Sequence, residues 1–407
     1  MTIEYRTKNA SMIKKIIALN TGSSSIKFAC YHLGKAEQLV FSGSLTNIGS
    51  REGRFSVQDA RGNSIKNESV ATQHHSAACD YLFSWILAQQ EGGNPDAVGH
   101  RIVHGGPLFS SPQMVTPELL TALDTLSPYA PEHLPQAIHA LRHTARLFPE
   151  TPQVTCFDTS FHTTMPAIAK LYALPESIRK EGVQRYGFHG LSYEYILLEL
   201  KRQLGPKAVK KRIILAHLGH GASMAALKNG KSIETTMGFS PAGGLVMSTR
   251  TGDLDPGVIL FLLQHSNMTP QAIKEMLNRQ SGLLGVSGST DDMQELLNRE
   301  RIDDSAKQAI ELFCYHARKH IGALSVVLGG LDILVFTGGI GYHSSIIRSR
   351  ICTGLEFLGI RIDKSSNTTH ASVISQKRAQ VEIRTIKTNE ELMIARHTMN
   401  ILKKLNH

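Results

Sequence analysis

The chain has 407 residues, of which 41% are hydrophobic and 19% are charged, and its formal net charge is +10. A chain of this length exceeds what one hydrophobic core usually supports, so we expect two domains. No apolar run approaches the ~20 residues that cross a bilayer, and the N-terminal stretch lacks the apolar core of a signal peptide. We therefore expect a cytoplasmic protein with no membrane partner, whose five scattered cysteines are reduced and mostly buried.

The positive charge alone is compatible with nucleic-acid binding, but its distribution favours a smaller anion. The densest basic run, at 207–212, leads directly into an apolar stretch and has no interleaved aromatic side chains. Aromatic residues make up only 6% of the chain. These features favour a solvated basic surface and an anionic small-molecule substrate, with no nucleic-acid partner.

Strands and helices are predicted to alternate along the chain, which is typical of an α/β fold. The segment 16–31 predicts a strand, a turn and a second strand. Further strands are predicted at 97–103, 154–157, 213–216, 223–227 and 333–337. Amphipathic spacing predicts helices at 77–90, 117–126, 136–147, 193–204, 306–327 and 391–405. No low-complexity linker is present, so the domain boundary is expected in an ordinary loop.

Two segments share one layout, namely 16–28 (IIALNTGSSSIKF) and 213–223 (IILAHLGHGAS). In each, an apolar run that predicts a buried strand breaks into a turn with glycine and small hydroxyl residues, and Gly22 and Gly219 occupy the same place. Glycine lets backbone N–H groups approach a ligand closely, and a turn of such groups forms an anion-binding nest. Two such turns on duplicated strands predict two lobes that grip one polyphosphate, as in an ATP-handling enzyme.

Polar residues beside glycines suggest the chemistry of phosphoryl transfer. Arg101, His189 and Arg250 each lie near glycines, and an arginine fork suits phosphoryl oxygens. Such groups stabilise the negative charge that builds up on a transferring phosphoryl group. Asp158 and Glu390 are candidates to hold Mg²⁺, directly or through water. A single arginine or aspartate near glycine is more often a salt bridge or a helix cap, so the prediction depends on the joint occurrence of these residues.

The order of these motifs resembles the acetate kinase family, including its propionate kinase branch. The matching segments run from about Lys15 to about Thr398 and include NTGSSSIKF, GHRIVHGG, FDTSFHTTMP, RYGFHG, AHLGHGAS, TRTGDLDPG, FTGGIG and TNEELMIAR. The resemblance implies two duplicated RNase H-like domains of the actin-like ATPase type, with the active site in the cleft between them. It implies an N-terminal lobe of 13–157 plus 391–407, a C-terminal lobe of 158–390, and a homodimer formed through the second lobe.

The resemblance also implies roles for residues at matching positions. The implied catalytic residues are Asn20, Arg101, His133, Asp158, His189 and Arg250. Mg²⁺ or Mn²⁺ would be held by Asn20, Asp158 and Glu390. ATP would be bound by Ser23, Ser24, Lys27, His217, Gly219, His220, Gly221, Asp292, Gly338, Gly339, Ile340 and Gly341. The acyl group would be surrounded by Val103, Phe188 and Pro241, with Glu132 at the same pocket.

The implied reaction is reversible phosphorylation of a short carboxylate by ATP, through direct in-line transfer with Mg²⁺. Valine at position 103 resembles the acetate-preferring members of the family, so acetate is the expected substrate, with propionate as a second one. Because a carboxylate nucleophile has no proton to lose, His189 is expected to donate a hydrogen bond and not to act as a base. A sugar kinase would need an aspartate base for its hydroxyl nucleophile, and a chaperone ATPase would need a separate peptide-binding domain.

Several positions depart from the family pattern. Glu132 stands where the family has leucine, His220 replaces the asparagine of G-N-G, and Tyr193 ends the segment that usually reads GFHGTSH. Near the nucleoside site the changes include Gln294 and the pair Tyr342-His343. These departures leave three interpretations open: neutral drift, an altered acid or phosphoryl donor, or a non-catalytic nucleotide-binding relative. Under the second, Tyr342 either stacks on adenine or fills its pocket and favours pyrophosphate.

Overall fold

The computed structural model describes residues 13–22, 24–50, 52–89 and 94–405. These residues form two compact units. The first contains the described residues up to Phe157 together with the helix that begins at Glu390, and the second runs from Asp158 to Asn389. None of the helices in the described part of the chain is long and apolar enough to cross a membrane. All five cysteines are buried and unpaired.

The first unit is built on a mixed sheet with the strand order β5-β4-β3-β2-β1-β6-β8-β7. Its strands are β1 (Lys14–Thr21), β2 (Ile26–Leu33), β3 (Glu37–Thr46), β4 (Arg54–Asp59), β5 (Ser64–Ser69), β6 (Ala97–Ile102), β7 (Gln113–Met114) and β8 (Gln153–Phe157). Its helices are α1 (His75–Ala88), α2 (Pro117–Thr125), α3 (Leu134–Leu147) and α15 (Glu390–Leu405), with a 3-10 turn at Ser127–Tyr129.

The second unit has a smaller sheet with the order β11-β10-β9-β12-β13. Its strands are β9 (Arg212–Leu218), β10 (Ala222–Lys228), β11 (Lys231–Thr235), β12 (Ile333–Thr337) and β13 (Glu382–Thr385). Its helices are α4 (Ala167–Lys170), α5 (Glu176–Lys180), α6 (Gly190–Leu204), α7 (Pro256–Gln264), α8 (Pro270–Arg279), α9 (Gly282–Ser287), α10 (Met293–Arg299), α11 (Asp304–Leu328), α12 (Gly338–His343), α13 (Ser345–Cys352) and α14 (Lys364–Thr368). 3-10 turns lie at Asp158–Thr164, Pro206–Lys210 and Glu356–Leu358.

Five adjacent strands of the first sheet, in the order β3-β2-β1-β6-β8, have the same topology as the second sheet. In the first unit, β3, β2 and β1 run antiparallel, and β6 and β8 follow β1 in parallel. In the second unit, β11, β10 and β9 run antiparallel, and β12 and β13 follow β9 in parallel. The α/β fold with duplicated lobes that the sequence predicts is thereby confirmed.

Helix α15 packs against the sheet of the first unit and brings the C-terminal segment next to β1 and β6. The contact with β6 is close, because a Cβ added at Gly99 would lie 2.2 Å from Thr398 Oγ1. A larger residue at position 99 would push the helix off the sheet. This packing explains why a segment some 290 residues further along the chain than β6 (from 99 to 390) belongs to the first unit.

Helix ends follow the capping residues in the sequence. Asp303 caps α11 through a hydrogen bond from Ala306 N, and the helix ends where Gly329 adopts a left-handed conformation. Asp255 and Pro256 begin α7 in the same manner. The predicted helix at 306–327 is thus α11, extended at its N-terminal end to the residue after the cap.

Candidate active site

The first glycine turn connects β1 and β2 in the first unit. Gly22 N–H donates to Ser25 O at 2.7 Å, which closes the turn. Lys27 lies directly across the hairpin from Asn20, and the side chains of Ser24 and Lys27 are exposed. The turn therefore presents polar groups to solvent beside Asn20. Ser23, also predicted to bind ATP, falls outside the described residues.

Asn20 is the centre of a hydrogen-bonded network at the end of β1. Its side-chain amide donates to Glu390 Oε2 at 2.9 Å and to Glu391 Oε1 at 3.1 Å. Its Oδ1 accepts from an Nη of Arg101 at 2.9 Å. The structure thus brings together three residues that the sequence predicts for the site, Asn20, Arg101 and Glu390. Glu391, which the prediction did not include, is part of the same network.

The predicted acyl-pocket residues of the first unit lie near the ends of β6 and α3. Val103 follows β6 two residues after Arg101 and is buried. Glu132 and His133 are partly buried and immediately precede α3. Arg101 and Val103 therefore lie at the same end of β6.

His189 lies in the second unit at the start of α6, in a left-handed backbone conformation with φ 57°. Its Nδ1 lies 2.8 Å from Ser223 Oγ, and its ring stacks on His217 with the centroids 4.3 Å apart. The preceding loop is held by His162, whose Nε2 lies 3.0 Å from Phe188 O. Burial lowers the pKa of His162 to about 4, so this imidazole is neutral at pH 7 and donates to the carbonyl. Sequence reasoning missed His162 as a support of His189.

The second glycine turn, Gly219–Gly221, links β9 to β10 and faces His189 and Arg250. Gly219 N–H donates to Gly221 O at 3.1 Å. A Cβ added at Gly221 would lie 3.2 Å from His189 Nε2 and 3.6 Å from an Nη of Arg250. The His189 imidazole and the Arg250 guanidinium therefore converge on this turn, as the sequence predicts for an anion-binding site.

Arg250 is held by the loop around it. One Nη donates to Pro241 O at 3.1 Å, and Met247 N–H donates to Arg250 O at 3.1 Å. The base of this loop is closed between Gly244 and Asp253, where Gly244 N–H donates to Asp253 Oδ1 at 2.8 Å. Pro241, predicted to contact the acyl group, is thus in direct contact with Arg250. Asp158 is buried and begins the 3-10 turn that follows β8.

A cleft of about 390 Å³ in the second unit extends from the second glycine turn to α10 and α12. Five of the predicted ATP-binding residues line it, namely Gly219, His220, Asp292, Gly339 and Ile340. The Gly219–Gly221 turn and the start of α12 are neighbours, since a Cβ added at Gly219 would lie 3.5 Å from Gly339 N. Gln294 and His343, which the sequence placed near the nucleoside site, also line the cleft. Sequence reasoning missed the other lining residues, which are Ser248, Asp291, Met293, Leu297 and Ser344.

His220 differs from the family pattern and has a defined partner at this cleft. Its Nε2 lies 3.2 Å from Asp291 Oδ2. Burial and the nearby Arg250 charge lower the pKa of His220, whereas Asp291 opposes that shift. Tyr342 is not among the residues lining the cleft. Its carbonyl accepts from Arg348 at 2.6 Å, and its ring packs edge-on against His343.

Residues 15–396 of the chain match the model of the acetokinase family. The chain belongs to this family. Acetate kinases of Rhodopseudomonas palustris and Coprothermobacter proteolyticus are 44% and 41% identical to it, covering 95% and 96% of this chain and 98% and 100% of theirs. The crystal structure of Porphyromonas gingivalis acetate kinase has a TM-score of 0.85 at 37% identity, covering 96% of this chain and 100% of that one. A propionate kinase from Francisella tularensis has a TM-score of 0.89 at 36% identity, covering 95% and 100%.

Membership of the acetokinase family confirms the resemblance inferred from the ordered motifs. It also confirms the type of enzyme, a phosphotransferase. The family match extends over residues 15–396 and assigns no role to any single side chain.

Proposed function

We propose that this protein transfers the γ-phosphoryl group of ATP to a short carboxylate, reversibly, giving the acyl phosphate and ADP. The proposed first substrate is acetate and the second is propionate. The observation that carries the proposal is the convergence of His189 and Arg250 on the Gly219–Gly221 turn. Donors placed in this way can stabilise a phosphoryl group whose charge is spread over three equatorial oxygens.

The proposed chemistry is a direct displacement at phosphorus. A carboxylate oxygen of the substrate attacks the γ-phosphorus while the bond to the bridging β–γ oxygen breaks, and the electron pair leaves with ADP. Arg250 and His189 donate hydrogen bonds to the transferring group. Arg101 is proposed to hold the substrate carboxylate, with Val103 and Phe188 beside the alkyl group. Both of these apolar side chains are buried, and a small apolar pocket discriminates by roughly 1–3 kcal/mol per methylene.

The donor chemistry of the predicted metal residues is compatible with Mg²⁺. Glu390 and Asp158 offer carboxylate oxygens, which hard cations prefer. Asn20 Oδ1 already accepts from Arg101, so we propose that Asn20 orients Glu390 and does not bind the ion directly. Among the described residues no group of three acidic, histidine or cysteine side chains is arranged to hold a metal. We therefore propose that phosphate oxygens and water supply most ligands, and Mg²⁺ would neutralise phosphate charge when bound.

The cleft beside α10 and α12 is the proposed nucleoside site. Its volume lies within the ~300–1,000 Å³ usual for small-molecule sites, and Met293, Leu297 and Ile340 give it an apolar wall. Pyrophosphate has no apolar group that could contact that wall. Tyr342, which would have to fill the site under the pyrophosphate alternative, does not line it. The cleft thus supports ATP as the donor.

Replacing Ile340 with tryptophan should fill the nucleoside cleft. We expect the KM for ATP to rise by at least about tenfold, roughly 1.4 kcal/mol of binding, with a much smaller change in the KM for acetate. Initial rates at varied ATP and acetate measure both constants. Ile346→Trp is the matched control, because Ile346 is 49% exposed on α13 and does not line the cleft. Equal KM values for ATP in Ile340→Trp and the wild type would place the nucleoside elsewhere.

A homodimer through the second unit is also proposed, and helix α7 supports it. None of its residues is buried, and four large apolar side chains are exposed: Val258 (39%), Leu260 (55%), Phe261 (56%) and Leu263 (38%). An apolar patch of this kind is typical of a protein interface. Light scattering on the eluted protein should give twice the chain mass of 44.7 kDa. A monomer mass at micromolar concentration would contradict the proposal.

We also propose a cytoplasmic location, in keeping with the unpaired cysteines.

A further inference from the structure

Two buried side chains, neither of them among the predicted site residues, hold His189 in place. Its Nδ1 lies 2.8 Å from Ser223 Oγ on β10. The same oxygen is hydrogen-bonded to the hydroxyl of Tyr193, which is one turn along α6 from His189. Ser223 and Tyr193 are both fully buried. The three residues form a continuous chain of hydrogen bonds inside the second unit.

The positions of the hydrogens in this chain follow from the available partners. Among the described residues, Ser223 is the one hydrogen-bond partner of the Tyr193 hydroxyl. Burial keeps the pKa of Tyr193 far above its ordinary value, so the phenol retains its proton. A buried hydroxyl hydrogen without an acceptor costs about 1–3 kcal/mol, so Tyr193 donates to Ser223 Oγ. The Ser223 hydroxyl then donates to His189 Nδ1.

This arrangement decides which nitrogen of His189 carries a proton. A neutral imidazole has one donor and one acceptor nitrogen. Because Nδ1 accepts from Ser223, the proton must be on Nε2. The imidazolium form is disfavoured as well, since its Nδ1–H would meet the Ser223 hydrogen. Nε2 is the nitrogen that lies next to Gly221 and faces the same turn as Arg250.

We propose that Tyr193 and Ser223 are positioning residues that keep His189 neutral with its proton on Nε2, aimed at the transferring phosphoryl group. The inference rests on the proposed role of His189 as a hydrogen-bond donor in the reaction. Neither side chain is exposed, so neither is placed to contact the substrate. Both act through His189, in the way that an outer partner of a histidine fixes its tautomer.

The test removes a single oxygen atom with Tyr193→Phe. Loss of the outer partner that orients a metal-bound histidine typically costs about 10- to 100-fold in metal affinity or activity. By the same reasoning we expect kcat to fall about tenfold, with little change in the KM for ATP or acetate. Ser223→Ala should lower kcat by a similar factor. Tyr195→Phe is the matched control, since it removes a hydroxyl two residues further along α6 and should leave kcat unchanged.

A double-mutant cycle separates positioning from stability. If Tyr193 acts through His189, adding Tyr193→Phe to His189→Gln should cause no further loss of kcat. In ¹⁵N-histidine spectra, the His189 signal, assigned by its loss in His189→Gln, should show Nε2–H in the wild type and a mixture of tautomers in Tyr193→Phe. An unchanged tautomer, or a full tenfold loss in the His189→Gln background, would overturn the relay. Full activity of His189→Gln itself would instead refute the proposed role of His189.

Discussion

Arg250→Ala is expected to lower kcat by about 10³-fold, in line with the ~10²–10³-fold loss when one preorganised donor to a transition-state oxyanion is removed. The guanidinium converges with His189 on the second glycine turn, and the Pro241 carbonyl holds it there. Its hydrogen bonds strengthen as charge develops on the transferring group, so kcat should suffer more than either KM. Steady-state rates at saturating ATP and acetate measure the effect.

Two variants complete this prediction. Arg250→Lys keeps the charge but loses the planar fork, and should recover only part of the activity. Arg202→Ala removes an arginine that pairs with Glu199 on the surface of α6 and is 72% exposed, so it should behave as the wild type. A value of kcat within threefold of the wild type for Arg250→Ala would exclude the proposed role.

Arg101→Ala is expected to raise the KM for acetate by about 10- to 100-fold, because a hydrogen bond to a charged group is worth about 1.5–3 kcal/mol. A fall in kcat should accompany it, since Arg101 also fixes Asn20 through the bond to Oδ1. Without that bond, the Asn20 side-chain amide is less firmly oriented for its hydrogen bond to Glu390. Rates at varied acetate and fixed ATP measure both effects.

The matched variant for this site is Arg101→Lys, which separates charge from geometry. A lysine ammonium is a point charge without the planar fork of arginine. The lysine variant should recover the KM for acetate more fully than kcat, because the hydrogen bond to Asn20 Oδ1 depends on the geometry of the guanidinium group. If Arg101→Ala changed the KM for ATP alone, Arg101 would belong to the nucleotide site, and its assignment to the carboxylate would be wrong.

The duplicated fold was predictable because its central hairpins carry strong patterns. The apolar runs at 16–28 and 213–223 became β1–β2 and β9–β10, and their burial is nearly complete. The strands at the other edge of the first sheet were not predicted. β5 has the sequence SIKNES with mostly exposed side chains, so no apolar alternation marks it. It is a strand because β4 supplies its hydrogen-bond partners.

In the site, too, residues that belong to a recognisable motif were predicted and the others were not. Motifs in the sequence indicated Arg101, His189 and Arg250, since these residue types near glycines suit phosphoryl transfer. Ser223 gave no such signal, because its contact with His189 depends on register. It lies across from His217 in the β9–β10 pair, which places its hydroxyl beside the stacked imidazoles. Asp291 and Met293 were missed for a related reason: they are distant in sequence from Gly219 and Gly339, and only the tertiary fold brings all four to the same cleft.

The most direct test of the proposed function is acyl phosphate formation by the purified protein, trapped as the hydroxamate. Acetate and propionate would each be combined with ATP or pyrophosphate in the presence of Mg²⁺. We expect turnover with ATP and acetate, slower turnover with propionate, and none with pyrophosphate. No acyl hydroxamate from either acid with ATP, in protein that still binds ATP, would contradict it.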